Sequence, residues 1–139
     1  MYKREVRITL REAEVTALDA LVRGLNDKVC TRRVSHVHNE WVYLETRRIG
    51  AQLYTLNYHA SNVGGSLAST LTVMRRGGRW YPLSVSFPYR LYTGVEVLDD
   101  GIIVSRDPET LIVVHALARE ILKHVHVVDG AATLDSGAE

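Results

Sequence analysis

The residues of this chain best suited to chemistry are its arginine doublets and the aromatic rings spaced between them. Arg32-Arg33, Arg47-Arg48 and Arg75-Arg76 with Arg79 recur where strands or hairpin ends are expected. Neighbours on a strand face opposite ways, so one member of each doublet can join a common face. If Val29–His59 is a meander with two-residue turns, Arg32 and Arg47 fall side by side, with Trp41, Tyr43, Tyr54 and Tyr58 further along that face. Guanidinium groups for phosphates and rings for bases are what single-stranded nucleic-acid binding requires. The leading expectation is therefore a nucleic-acid surface made of Arg32, Arg47, Arg75, Arg76, Arg79, Trp41, Tyr43, Tyr54 and Tyr58. In the bland alternative the rings pack under a helix and the arginines snorkel at its rim. No RNP-type motif accompanies the pattern.

His36 and His38 occupy alternate positions of an expected strand, so both imidazoles could reach one ion or line one pocket. Their spacing is similar to the first metal motif of cupins. The resemblance ends at the two histidines, because Glu40 and Glu45 stand at other distances and no later Gly-Pro-His follows. No metal or other cofactor is expected. With Tyr54 and Tyr58 the pair instead supports an alternative, a ligand-binding or hydrolytic domain whose pocket these four residues line. His124 and His126 fall at a helix end, where they diverge. No Gly-x-Ser-x-Gly elbow is present, and the single cysteine, Cys30, has no evident base and no disulfide partner in the chain. It reads as a small core residue. Gly64-Gly65 and Gly77-Gly78 lack the lysine and helix of a phosphate loop and read as turns. No catalytic residue is assigned, and non-enzymatic binding is preferred.

Charge supports an anionic partner. The net charge of +1 over 139 residues hides a gradient. Residues 1–22 balance, with four basic and four acidic side chains; residues 23–90 carry ten basic and three acidic; residues 91–139 carry three basic and nine acidic. Such asymmetry marks an anion-binding surface on the middle segment, or an acidic end that folds over the basic middle or pairs with it in a neighbouring subunit. The last option makes a homo-oligomeric assembly protein a further alternative. No apolar run approaches membrane-spanning length, and the charged N-terminus lacks a signal-peptide core, so a cytoplasmic protein without a membrane partner is expected. Scarce Gln, Met and Cys point to a thermophile, while the low lysine count points the other way.

The elements that must position these groups follow from periodicity. Lys3–Ile8 reads as a strand with Val6 and Ile8 inward. Thr9 and Glu12 form a capping box, so a helix is expected from Leu10 to about Gly24, with Arg11, Glu14 and Asp19 in solvent. The meander comprises Val29–His38, Trp41–Arg48 and Ala51–His59. Its core face carries Arg33, Ser35, Val37, Val42, Leu44, Thr46, Leu53 and Thr55; Arg32, Val34, His36, His38, Trp41, Tyr43, Glu45, Arg47, Tyr54, Leu56 and Tyr58 share the other. Ser61–Ser66 is the best internal break.

Leu67–Phe87 is a hairpin around Gly77-Gly78. A three-residue loop pairing Arg76 with Trp80 puts Leu67, Leu71, Val73, Leu83, Val85 and Phe87 on one face, and that burial selects the register. Tyr89–Leu98 and Ile102–Ser105 are further strands. Asp107-Pro108-Glu109 starts a helix running to about His124. The expectation is an α+β fold: one domain over residues 1–128, a largely antiparallel sheet of six to eight strands packed with an N-terminal and a C-terminal helix, and a mobile acidic tail over residues 129–139. This element order is similar to the helix-grip architecture of lipid- and polyketide-binding domains, a likeness that implies a cavity between a curled sheet and the last helix.

Overall fold

The computed structural model describes residues 4–5, 8–99 and 101–134. The α+β architecture holds. Six strands form one antiparallel meander: β2 (Cys30–Val37), β3 (Glu40–Arg48), β4 (Leu53–Asn62), β5 (Gly65–Arg76), β6 (Arg79–Ser86) and β7 (Leu91–Tyr92). A helix, α1 (Glu12–Arg23), precedes it and another, α2 (Pro108–Leu122), follows. Both pack on one face, where Leu18, Leu21, Val114 and Ile121 meet Leu44, Leu56, Leu71 and Val85 in the main core. A small sheet joins β1 (Arg4–Glu5), β9 (Ile103–Ser105) and β8 (Val95–Val97) beside β6. Tyr81, Ile103 and Leu111 close a second cluster there.

Helix starts follow the chemistry of their first turns. At α2 the Asp107 carboxylate accepts from the Glu109 amide at 3.0 Å and Pro108 opens the helix, as the sequence implies. At α1 the cap lies two residues later than expected. The Arg11 amide donates to Glu14 Oε1 at 2.8 Å, so Glu14 rather than Glu12 closes the first turn. Glu14 is accordingly buried and lies 3.7 Å from Arg119 on α2, and Asp19 accepts the Trp80 indole N–H at 2.8 Å. Two acids assigned to solvent thus pin α1 to its neighbours.

The meander departs from the expected registers at its turns. The β2–β3 turn falls at His38-Asn39, which shifts pairing by two residues and keeps both faces intact: Arg32 opposes Glu45, not Arg47. Between β3 and β4 the last ladder pair is Arg48 with Tyr54, which encloses five residues, and Ile49 and Gly50 both donate to the Leu53 carbonyl. That odd change moves every β4 side chain to the other face. Tyr54, Leu56 and Tyr58 become core, while Leu53, Thr55, Asn57 and His59 take the opposite side. Ser61–Ser66 is not a break, since β4 and β5 pair through Asn62 and Gly65 across a two-residue turn.

The β5–β6 hairpin follows the expected register at its base and departs from it at its tip. A two-residue Gly77-Gly78 turn, with φ of 59° and 77°, pairs Arg76 with Arg79 and Val73 with Pro82. A bulge at Leu83 then restores the apolar pairing, Leu71 with Val85. Leu71, Val73, Val85 and Phe87 pack in the main core, whereas Leu83 turns to the Tyr81 cluster and Leu67 stays largely exposed. The expected Arg76–Trp80 pairing is therefore wrong at the tip and right in its consequence at the base.

Further on, Gly94 (φ 97°) splits the strand expected over Tyr89–Leu98, sending Leu91–Tyr92 to the main sheet and Val95–Val97 to the small one. The expected mobile tail is corrected over its first half. Asp129-Gly130 turns a hairpin between β10 (Val125–Val128) and β11 (Ala131–Leu134), which packs on α1 and beside β2. The Asp-Gly pair between alternating residues was the signal for it. Residues 135–139 lie outside the described residues, as does Val6 of the first expected strand.

Candidate functional site

The sheet face opposite the helices stays open over β2–β4: Arg32, Val34, His36, Trp41, Arg47, Asn57 and His59 are all exposed. Trp41 is 55 % exposed and lies against His36 across the strand pair, ring centroids 4.4 Å apart. Val34, which pairs with Tyr43, extends this apolar end and is 58 % exposed. The basic end lies toward Cys30 and Arg47, about 20 Å along β3 from Trp41 at the usual strand rise. Beyond β3 the face is hydroxyl and amide: Thr55 opposes Thr72, and Asn57 opposes Thr70.

Glu45 organises the basic end. Its carboxylate accepts from Arg47 at 3.2 Å, from the Cys30 thiol at 2.8 Å and from the Tyr43 hydroxyl at 3.3 Å, with Arg32 3.7 Å away. The thiol hydrogen bond, helped by both guanidinium groups, holds the Glu45 carboxyl below its usual range. The same bond pushes the Cys30 pKa up and keeps the thiol protonated. Cys30 is thus a half-buried donor on the open face rather than a core residue. Arg32 and Arg47 are 69 % and 50 % exposed, so each keeps donors free of the single carboxylate between them.

The tip arginines are partly engaged. Arg75 lies 5.7 Å over the Trp80 ring. Arg76 donates to the Val97 carbonyl and to Asp99, both at 2.9 Å. Arg90 pairs with Glu109 at 3.2 Å, so part of the acidic C-terminal third does fold onto the basic middle. Arg79 is exposed and has no carboxylate partner among the described residues.

Tyr54 and Tyr58 stand apart from this surface. Tyr54 packs edge-on to Trp80 at 5.5 Å. Tyr58 is buried beneath α2, its hydroxyl 3.1 Å from His124 Nε2 and 3.4 Å from Glu120 Oε2, and burial pushes its pKa well up. The pocket expected from His36, His38, Tyr54 and Tyr58 does not assemble. His36 is on the open face, the two tyrosines are on the covered one, and His38 leaves the ladder as a turn residue with φ 58°. The histidine that Tyr58 meets is His124, brought back by the end of α2. No group of three metal-ligating side chains converges among the described residues.

One feature went unseen in the sequence. His115 is 1 % exposed and lines a cleft of about 300 Å³ beside Leu10, Val15, Trp80 and Ile103. Its helical spacing from Leu111 and Ala118 was the available signal for burial. Comparison with protein-family models, with curated proteins and with solved structures finds no match.

Proposed function

We propose that the open sheet face binds a single-stranded nucleic acid. The observation that carries this reading is Trp41, more than half exposed on a face that neither α1 nor α2 covers, in line with Arg32 and Arg47 on the paired strands. A base stacks on Trp41 with His36 and Val34 flanking it, and the backbone runs along β3 toward Arg47 and Arg32. Ring stacking contributes about 1–3 kcal/mol per base without sequence preference. Tyr43 supports the path between the two ends, with burial and the neighbouring Glu45 holding its hydroxyl protonated. Arg76 and Arg79, paired at the hairpin tip, add positive charge beyond the basic end. Arg75 serves through Trp80 rather than by direct contact.

The Glu45 carboxylate offsets part of the local positive charge, so few phosphates are neutralised and modest affinity is expected. With two to four contacts, the logarithm of affinity falls against the logarithm of salt with a slope of about −1.5 to −3. Fluorescence anisotropy with labelled oligonucleotides of single- and double-stranded DNA and RNA tests the reading. Binding that favours single strands, follows that slope and weakens about tenfold on Trp41→Ala supports it. Absent or salt-insensitive binding overturns it.

A further inference from the structure

The cleft at the start of α1 shares Arg79 with the proposed nucleic-acid surface and is otherwise distinct from the open face. It lies between the N-terminal segment, the tip of the β5–β6 hairpin, β9 and α2, and encloses about 300 Å³. Leu10, Val15, Ile103 and the Trp80 ring give it apolar walls, and Thr9, Arg79, Tyr81 and His115 are the polar side chains among them. The His115 Nδ1 lies 2.8 Å from the Leu111 carbonyl, which can only accept, so Nδ1 carries the proton and Nε2 is a bare acceptor. Nε2 is buried and has no hydrogen-bond partner. Burial also pushes the His115 pKa down, so the ring is neutral at physiological pH. An unpaired buried acceptor is costly and needs an explanation. Arg79 is the charged one, exposed at the rim beside Gly78 and Gly101. The carboxylate near it, Asp99, is already held by Arg76 at 2.9 Å.

We propose that this cleft binds a small hydroxy-carboxylate with a flat apolar body, its carboxylate on Arg79 and its hydroxyl donating to His115 Nε2. The unpaired His115 acceptor calls for a donor, which a bare hydrocarbon acid lacks. The lone guanidinium at the rim balances one negative charge, which suits a carboxylate better than a phosphate dianion. The volume lies at the small end of ligand pockets and fits a single ring.

The probe is 4-hydroxyphenylacetate, with phenylacetate and 4-hydroxyphenylacetamide as controls that remove the hydroxyl and the charge. Binding is read from the His115 imidazole nitrogen resonances and from the Trp80 indole signal of the labelled full chain. The expected result is a shift of Nε2 on titration, with each control at least about fivefold weaker, the scale of one hydrogen bond or ion pair. Arg79→Gln, a surface change that leaves folding intact, weakens the probe by at least about fivefold and leaves 4-hydroxyphenylacetamide unaffected. A motionless Nε2 resonance at about 10 mM probe, a range that reaches even millimolar affinity, overturns the proposal. So does equal affinity for the probe and both controls, or an Arg79→Gln protein that binds the probe as the parent does. These ligand comparisons stand without any substitution of the buried histidine.

Discussion

The Cys30 thiol donates to Glu45 Oε2 at 2.8 Å, joining the first residue of β2 to the carboxylate that also gathers Arg32 and Arg47. Removing the carboxylate exposes the thiol to two guanidinium groups with nothing opposing them. Glu45→Gln is therefore expected to lower the Cys30 pKa and raise its reaction rate with a disulfide reagent several-fold at pH 7–8. The rate–pH profile checks this, and an unchanged midpoint refutes it.

The same contact makes stability depend on acid. Glu45 has a folded pKa below its unfolded value, so its contribution is complete above the unfolded pKa of about 4.3 and is lost as pH falls through the lower folded value. Urea midpoints measured from pH 6 to pH 3 should fall more steeply in the parent than in Glu45→Gln. At pH 7 the substitution is expected to cost about 1–2 kcal/mol, the range for hydrogen bonds to a charged group discounted for the exposed arginines.

The two tryptophans report different faces. Trp41 is 55 % exposed and Trp80 is 5 % exposed with its indole bonded to Asp19. Iodide should quench Trp41 and spare Trp80, so Trp80→Phe leaves a quenchable, red-shifted emission and Trp41→Phe leaves a shielded one. If the open face takes nucleic acid, oligonucleotide quenches the first variant and not the second. Quenching of both to the same degree would place the bound strand elsewhere.

Which residues reach that face was legible only in part, and the reason is arithmetic. Alternation along Cys30–Val37 and Glu40–Arg48 gives the correct two faces because the turn error there was even. At Ile49–Leu53 the error was odd, and Tyr54 and Tyr58 crossed to the core. Nothing in the composition of Arg-Arg-Ile-Gly-Ala-Gln separates a two-residue from a five-residue connection. The burial pattern does so afterwards, since Tyr54, Leu56 and Tyr58 supply the wall that α2 needs. Leu83 is a similar case: apolar matching identified the correct base register and could not foresee the bulge that reconciles it with a two-glycine turn.

That turn yields a further prediction. Gly77 and Gly78 both have positive φ, 59° and 77°, in a two-residue connection. Asparagine tolerates this region, and a β-branched side chain does not. Gly77→Asn is expected to change stability by less than about 0.5 kcal/mol, whereas Gly78→Val costs about 1–2 kcal/mol or more. Equal denaturation midpoints for the two variants would mean the tip adjusts freely.

The C-terminal hairpin gives the sharpest contrast between a tail and a structural element. Ala132 is 5 % exposed within the main core, and its carbonyl accepts from Arg33 Nε at 3.0 Å. Thr133, the next residue, is exposed and faces the other way. Ala132→Asp buries an unpaired carboxylate under α1 and is expected to cost about 2–4 kcal/mol. Thr133→Asp should change stability by less than about 0.5 kcal/mol. A mobile tail would accept both substitutions equally, because neither side chain would lose water. Urea denaturation separates the two cases, and amide exchange adds a second reading. Residues 125–128 and 131–134 pair as β10 and β11, so their ladder amides should exchange on the timescale of the β-sheet core rather than of a terminus.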